Sequence, residues 1–229
     1  NIGDWSSDVC SSDLHFTGQI TDYLLDQGVK MLIIACNTMA AVASQVVKDK
    51  AGAIPVLDVI EAGARAAVAE SRSRAIGVIG TPTTINSNAY ARRIHALDPN
   101  VRVYSQACPL FVPLVEEGWL EHEVTRLTAQ EYLKPVLAEN VDTLVLGCTH
   151  YPLIKPLLQD VVGPDIRLVD SAITVAEQAA RTLTEMGIAN DGRSLPTYRY
   201  TVTDIPLRFQ TIGERFLGRS LGQVDKVDW

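Results

Sequence analysis

Short apolar runs alternate with amphipathic or alanine-rich stretches along most of this chain. Ile20, Tyr23 and Leu24 recur at helical spacing within residues 16–28, and Gly28 is placed to end that helix. KMLIIAC at 30–36 is a continuous apolar run of strand length, and Asn37 caps an alanine-rich helix reaching about Lys50. The alternation then predicts strand 55–57, helix 60–71, strand 75–80, helix 85–96, strand 101–105, helical segments over 110–138 and strand 143–147. A further helix, strand 166–169 and helix 171–187 come next. Thr201 and Val202 mark a strand after a loop, and a last helix covers 206–217. Strands that are apolar throughout and joined by helices imply parallel sheets covered on both faces, hence an α/β fold. In open sheets of this kind ligands bind beyond the C-terminal ends of the strands.

Residues 1–14, NIGDWSSDVCSSDL, break the pattern. They contain the near-repeat SSDV and SSDL, show no amphipathic period, and change character abruptly at His15. The stretch resembles translated adapter sequence foreign to the protein, and it is set aside from fold reasoning together with Cys10.

Composition narrows the function classes. At 229 residues, 47% hydrophobic and 21% charged, the chain can bury a core of its own, which excludes disorder, collagen and coiled coil. Net charge is −7 and the 20 Lys and Arg residues are scattered, so neither nucleic acid nor an acidic membrane surface is an expected partner. No apolar run approaches the ~20 residues of a membrane span. The four cysteines at 10, 36, 108 and 148 include no CxxC pair and no zinc-ribbon spacing, which reads as free thiols in a cytoplasmic protein.

Two places repeat one another. IIACNT at 33–38 and VLGCTH at 145–150 each run apolar strand, small residue, Cys, polar pair, helix. Each thiol is therefore predicted at the ligand-binding edge of a sheet and at a helix N-terminus, which favours the thiolate and lowers a thiol pKa from ~8.5. Asn37, Thr38 and Thr149 add amide and hydroxyl groups suited to holding a carboxylate. If two lobes face each other, one thiolate can take a proton from a carbon while the opposite thiol delivers one to the other face. That inverts a stereocentre by general acid–base chemistry without a cofactor or metal.

ACNTMAA and LGCTHYPL closely resemble the two signature segments of the glutamate racemase family, within the aspartate/glutamate racemase superfamily. IGVIGTPTTINSNAY at 76–90, CPLFVPLVEEG at 108–118 and YTVTDIPLRFQTIGERFLG at 200–218 extend the resemblance in order over residues 16–218. It implies two pseudo-symmetric α/β lobes with the active site between them. The first would comprise 15–60 plus 170–229, the second 61–169, and the second thiol would come from the second lobe's final strand. It implies Cys36 and Cys148 as the proton donors and acceptors, with Glu116 and His150 assisting the second thiol. Asn37, Thr38, Thr84, Thr149 and His150 would contact substrate, and Cys108 would be a packing residue. The implied reaction interconverts L- and D-glutamate, supplying D-glutamate for peptidoglycan in a bacterial cytoplasm, with no cofactor. A homodimer is left open.

The family also opens with an apolar strand leading to a DSGVGG loop and a PYG segment, and neither is present here. The resemblance therefore implies a shortened copy that lacks one strand of the first lobe and one wall of the site, and that is impaired in turnover. Rival readings are an aspartate or hydantoin racemase using the same thiols, and a cysteine hydrolase built on Cys148 and His150. Two others are zinc held by Cys36, Cys148 and His150, and a non-catalytic fragment that binds a dicarboxylate.

Overall fold

A computed structural model describes residues 5–193 and 195–228. Within it the chain falls into two compact units, one running through Gly187 and one starting at Ile188.

The first unit begins with α1 (Trp5–Asp26), β1 (Leu32–Ile34), α2 (Asn37–Ala51), β2 (Val56–Asp58) and α3 (Val59–Glu70). β1 and β2 pair in parallel, and α1 packs on α2. Next come β3 (Ala75–Gly80), α4 (Pro82–Asn86), α5 (Ala89–Leu97), β4 (Arg102–Ala107), α6 (Phe111–Glu116), α7 (Glu123–Leu137) and β5 (Thr143–Gly147). A 3-10 turn (Tyr151–Ile154), α8 (Lys155–Val162), β6 (Arg167–Val169) and α9 (Ser171–Glu185) complete it. β3 to β6 form a four-stranded parallel sheet in the order β4-β3-β5-β6. The fold is thus the α/β class expected, with parallel sheets flanked by helices.

The inner strands carry the core. Every residue of β3 and of β5 is buried, with Ile76, Val78, Ile79, Leu144 and Val145 fully so. Each such side chain contributes about 1.5–3 kcal/mol of apolar burial. Gly77 is required there, because a Cβ on it would lie 2.6 Å from Val136 Cγ1 and 2.8 Å from Leu144 Cδ1.

The second unit is a small βαβ element. β7 (Tyr200–Val202) and β8 (Val224–Lys226) pair in parallel, with α10 (Pro206–Leu217) between them in sequence. Glu214 ties the end of α10 to the next segment by accepting from Ser220 Oγ and the Leu221 N–H. No apolar signal marks β8 in the sequence.

Several elements differ from the sequence reading. α1 starts at Trp5, so the segment set aside from fold reasoning is helical from that residue on. Ser- and Asp-rich sequence is well tolerated at a helix N-terminus, where the dipole favours anions. Residues 1–4 and the Cys10 side chain lie outside the described residues. The helix expected over 85–96 is two helices broken at Asn88, whose φ of 54° interrupts the ladder. The helical segments expected over 110–138 are α6 and α7, separated around Gly118 at φ 80°. Among the described residues no helix is long and apolar enough to cross a membrane.

Asp142, just before β5, anchors the turn before β3. Burial alone would raise its carboxyl, but donation from Ser71 Oγ and from the Ser73 and Arg72 N–H groups holds it at about 2. Asp142→Ala is expected to destabilise the chain by about 2–3 kcal/mol, read by urea denaturation at neutral pH, because the donors of Ser71, Arg72, Ser73 and Thr143 lose their acceptor.

Candidate active site

Both cysteines singled out by their sequence setting lie at C-terminal strand ends. Cys36 follows β1, is exposed, and occupies the N-cap position of α2, its carbonyl accepting from the Ala40 N–H. Cys148 directly follows β5 and is 7% exposed. β5 is an inner strand with β6 beyond it, so the second thiol does not come from the last strand of its sheet as expected. The helix expected after it is delayed too. Pro152 and Pro156 lack N–H donors, and the chain makes a 3-10 turn before α8 begins.

Thr149 joins the two thiol segments, its hydroxyl donating to the Ala35 carbonyl at 3.0 Å. The thiols are close enough that negative charge on Cys36 raises the pKa of Cys148. Behind Cys148 runs a line of groups. Its Sγ is 3.9 Å from His150 Nδ1, and His150 Nε2 is 3.3 Å from Glu116 Oε1, with both side chains about a quarter exposed. The structure therefore brings Cys148, His150 and Glu116 together, although Glu116 stands 32 residues upstream of Cys148 in sequence.

The groups expected around substrate divide into two kinds. Thr38, Thr81 and Thr84 form a ring of hydroxyls with Oγ1 separations of 3.0, 3.3 and 3.0 Å. Thr38 belongs to α2, while Thr81 and Thr84 belong to the start of α4, so the ring connects segments following β1 and β3. Asn37 is 3% exposed, and its Oδ1 accepts from the Tyr90 hydroxyl at 2.7 Å. Its amide N–H groups are the part left to donate elsewhere.

Sequence reading missed two of these residues. Thr81 caps α4 by accepting from the Thr84 N–H, with Pro82 in the first turn. The Thr-Pro-x-Thr spacing carries that capping signal. Tyr90 carries none, because its contacts are with residues remote in sequence.

Electrostatics at Cys148 run against the expectation of a lowered pKa. Burial pushes this thiol up to about 11, and the N–H groups of His150 and Tyr151 offset that only in part. The helix field is weak here because the first helical turn starts three residues on. Burial, helped by charge on Cys148, also pushes Cys108 up to about 12. Cys108 is fully buried beneath the site, where its carbonyl accepts from the Tyr151 hydroxyl at 2.8 Å. Among the described residues no cluster of three or more His, Cys, Asp or Glu could hold a metal ion.

Both thiols hold their protons more tightly in the folded chain than near their ordinary value of 9.0. Their stabilising contribution is therefore complete below about pH 9 and is lost as pH rises towards 11–12. Thermal unfolding followed from pH 8 to 11 is expected to show a falling Tm, with a shallower fall in Cys108→Ala.

The family model for Asp/Glu/hydantoin racemase matches residues 5–179. The curated glutamate racemase of Syntrophus aciditrophicus is 67% identical over 212 residues, covering 93% of this chain and 78% of that protein. That of Neisseria meningitidis serogroup A is 60% identical over 213 residues, with the same coverage of each. The crystal structure of glutamate racemase from Francisella tularensis, in complex with D-glutamate, superposes with a TM-score of 0.90 at 41% identity, covering 98% of this chain and 83% of that one. The chain therefore belongs to the Asp/Glu/hydantoin racemase family, within which its likeness is to the glutamate racemases.

Proposed function

We propose that this protein interconverts L- and D-glutamate by proton transfer between two thiols, Cys36 and Cys148, without a cofactor. The observation that carries the reading is the pairing of these thiols. Each lies at the C-terminal end of a parallel strand, and Thr149 ties one segment to the other. The identity of the relatives supports the substrate, and the D-glutamate bound to the Francisella tularensis enzyme supports its class. Asn37, Thr38, Thr84 and Thr149 hold the substrate's carboxylates and amine through their amide and hydroxyl groups. The lobe boundaries near residues 60 and 170, a bacterial cytoplasmic location and supply of D-glutamate for peptidoglycan belong to the same proposal.

The proton count differs between the two directions of the reaction. At neutral pH Cys148 holds its proton, because burial keeps it well above the usual thiol value. In one direction Cys36, as thiolate, takes the α-proton and Cys148 delivers its own to the opposite face. The turnover ends with Cys36 protonated and Cys148 as thiolate. In the other direction Cys148 must first lose its proton. His150 Nδ1 is the nearby acceptor, and Glu116 stabilises the imidazolium that forms.

Removing either thiol breaks inversion and leaves half of the chemistry. Cys36→Ala and Cys148→Ala are each expected to lose racemisation by roughly 10²–10⁴-fold. In deuterated water each variant is expected to exchange the α-hydrogen of one enantiomer only, the two variants choosing opposite enantiomers. Full racemisation by either one contradicts the mechanism. Turnover on enantiopure aspartate or a hydantoin in preference to glutamate would move the substrate to another branch of the family.

Glu116→Gln tests the assisting pair. L- and D-glutamate have equal free energy, so kcat/KM must fall equally in both directions. The kcat for the direction in which Cys148 is the base is expected to fall about tenfold more than the other, with KM compensating. Equal kcat losses would remove Glu116 from that role.

A further inference from the structure

Tyr90 lies at the start of α5, is 2% exposed, and has no part in the proton transfer just described. A buried phenol needs partners. Its hydroxyl donates to Asn37 Oδ1 at 2.7 Å, and Ser171 at the N-terminus of α9 lies beside it, both within 3.2 Å of where a Cβ on Gly63 would be. Its ring lies against the strand end that carries the second thiol, since a Cβ on Gly147 would come within 3.1 Å of Tyr90 Cε2. On the other side a Cβ on Gly63 of α3 would lie 3.0 Å from the Tyr90 hydroxyl. Two glycines thus leave the space that this side chain fills. Asn37 directly follows Cys36, and Gly147 directly precedes Cys148.

We propose that Tyr90 is a positioning residue for both halves of the site. Its hydroxyl fixes the rotation of the Asn37 carboxamide beside Cys36, and its ring sets the place of the Gly147 backbone beside Cys148. The inference rests on the two-thiol reading for its kinetic consequence. The chemistry of the hydrogen bond defines the orientation. An amide whose oxygen accepts from a phenol presents its N–H groups on the opposite side, where they can donate to a substrate carboxylate. Without the phenol, the amide can turn over and offer an acceptor to an anion. Burial of the phenol also holds it protonated, with its pKa well above the usual tyrosine value, so it remains a donor across the working pH range.

The test compares Tyr90→Phe, Gly63→Ala and the unaltered chain. Tyr90→Phe keeps the ring and removes the donor. It is expected to raise KM for both enantiomers about tenfold and to lower kcat for both by a similar factor. That symmetry separates it from Glu116→Gln, whose kcat losses are unequal. Gly63→Ala crowds the hydroxyl from a helix whose propensity the substitution improves, and its kcat/KM is expected to fall as well. A purely structural role would lower Tm in Tyr90→Phe and leave KM and kcat at the level of the unaltered chain, and that result overturns the proposal. If Cys36→Ala and Cys148→Ala both racemise normally, the two-thiol reading fails. Tyr90 is then read from D-glutamate affinity by calorimetry, where about tenfold weaker binding to Tyr90→Phe upholds its role and unchanged affinity removes it.

Discussion

Cys148 stands at the end of an inner strand, and burial there pushes its thiol up to about 11. A thiol in that state gives up a proton readily to a carbanion but accepts one from a carbon only after being deprotonated itself. The surrounding structure answers that constraint. His150 is turned towards the sulfur by the short 3-10 turn, and Glu116 reaches His150 from α6. Tyr151 ties these parts together. Its N–H offsets the effect of burial on the Cys148 thiol, while its hydroxyl holds the Cys108 carbonyl just ahead of α6. Cys36, exposed at the start of α2, needs no such support among the described residues to reach solvent.

The sheet makes this arrangement possible at close quarters. β3 and β5 run side by side with Gly80 opposite Gly147. A Cβ on Gly147 would lie 2.7 Å from the Ile79 carbonyl, and one on Gly80 would lie 3.1 Å from the Gly147 carbonyl. Both strand ends are therefore kept bare of side chain, so that the thiol segment and the Thr81 turn can approach each other. The hydroxyl ring of Thr38, Thr81 and Thr84 and the Thr149–Ala35 bond then connect the segments after β3 and β5 to the segment after β1.

Much of this was legible in the sequence for a local reason. Continuous apolar runs such as TLVLG and AIGVIG define buried parallel strands, and a Cys with polar neighbours just beyond such a run lands at the ligand edge of a sheet. The placement of Cys36, Cys148, Asn37 and Thr38 comes from nearest neighbours alone. The features that escaped depend on packing between distant segments. The expectation of a lowered Cys148 pKa used the local helix field, whereas the burial that outweighs it is set by the folded chain around the strand end. Tyr90 looks like any helix tyrosine until α2, α3, α5 and α9 converge on it. The break at Asn88 was equally hidden, because a residue at positive φ inside a helical pattern leaves little trace in hydrophobic spacing. Residues 1–14 carry no apolar period and resemble foreign sequence, so the start of α1 within them left no trace in the hydrophobic pattern.

The claim on which this account turns is that two different groups handle the two faces of the substrate carbon. It is tested most directly by incubating the chain with L-glutamate in deuterated water and stopping the reaction at low conversion. The enantiomers are then separated and the isotope at the α-carbon of each is read by mass spectrometry. Two thiols acting on opposite faces predict that the D-glutamate formed carries deuterium while the recovered L-glutamate remains unlabelled. Deuterium entering the recovered L-glutamate as fast as D-glutamate forms, or D-glutamate retaining the original hydrogen, would show that a single group serves both faces and would contradict the account.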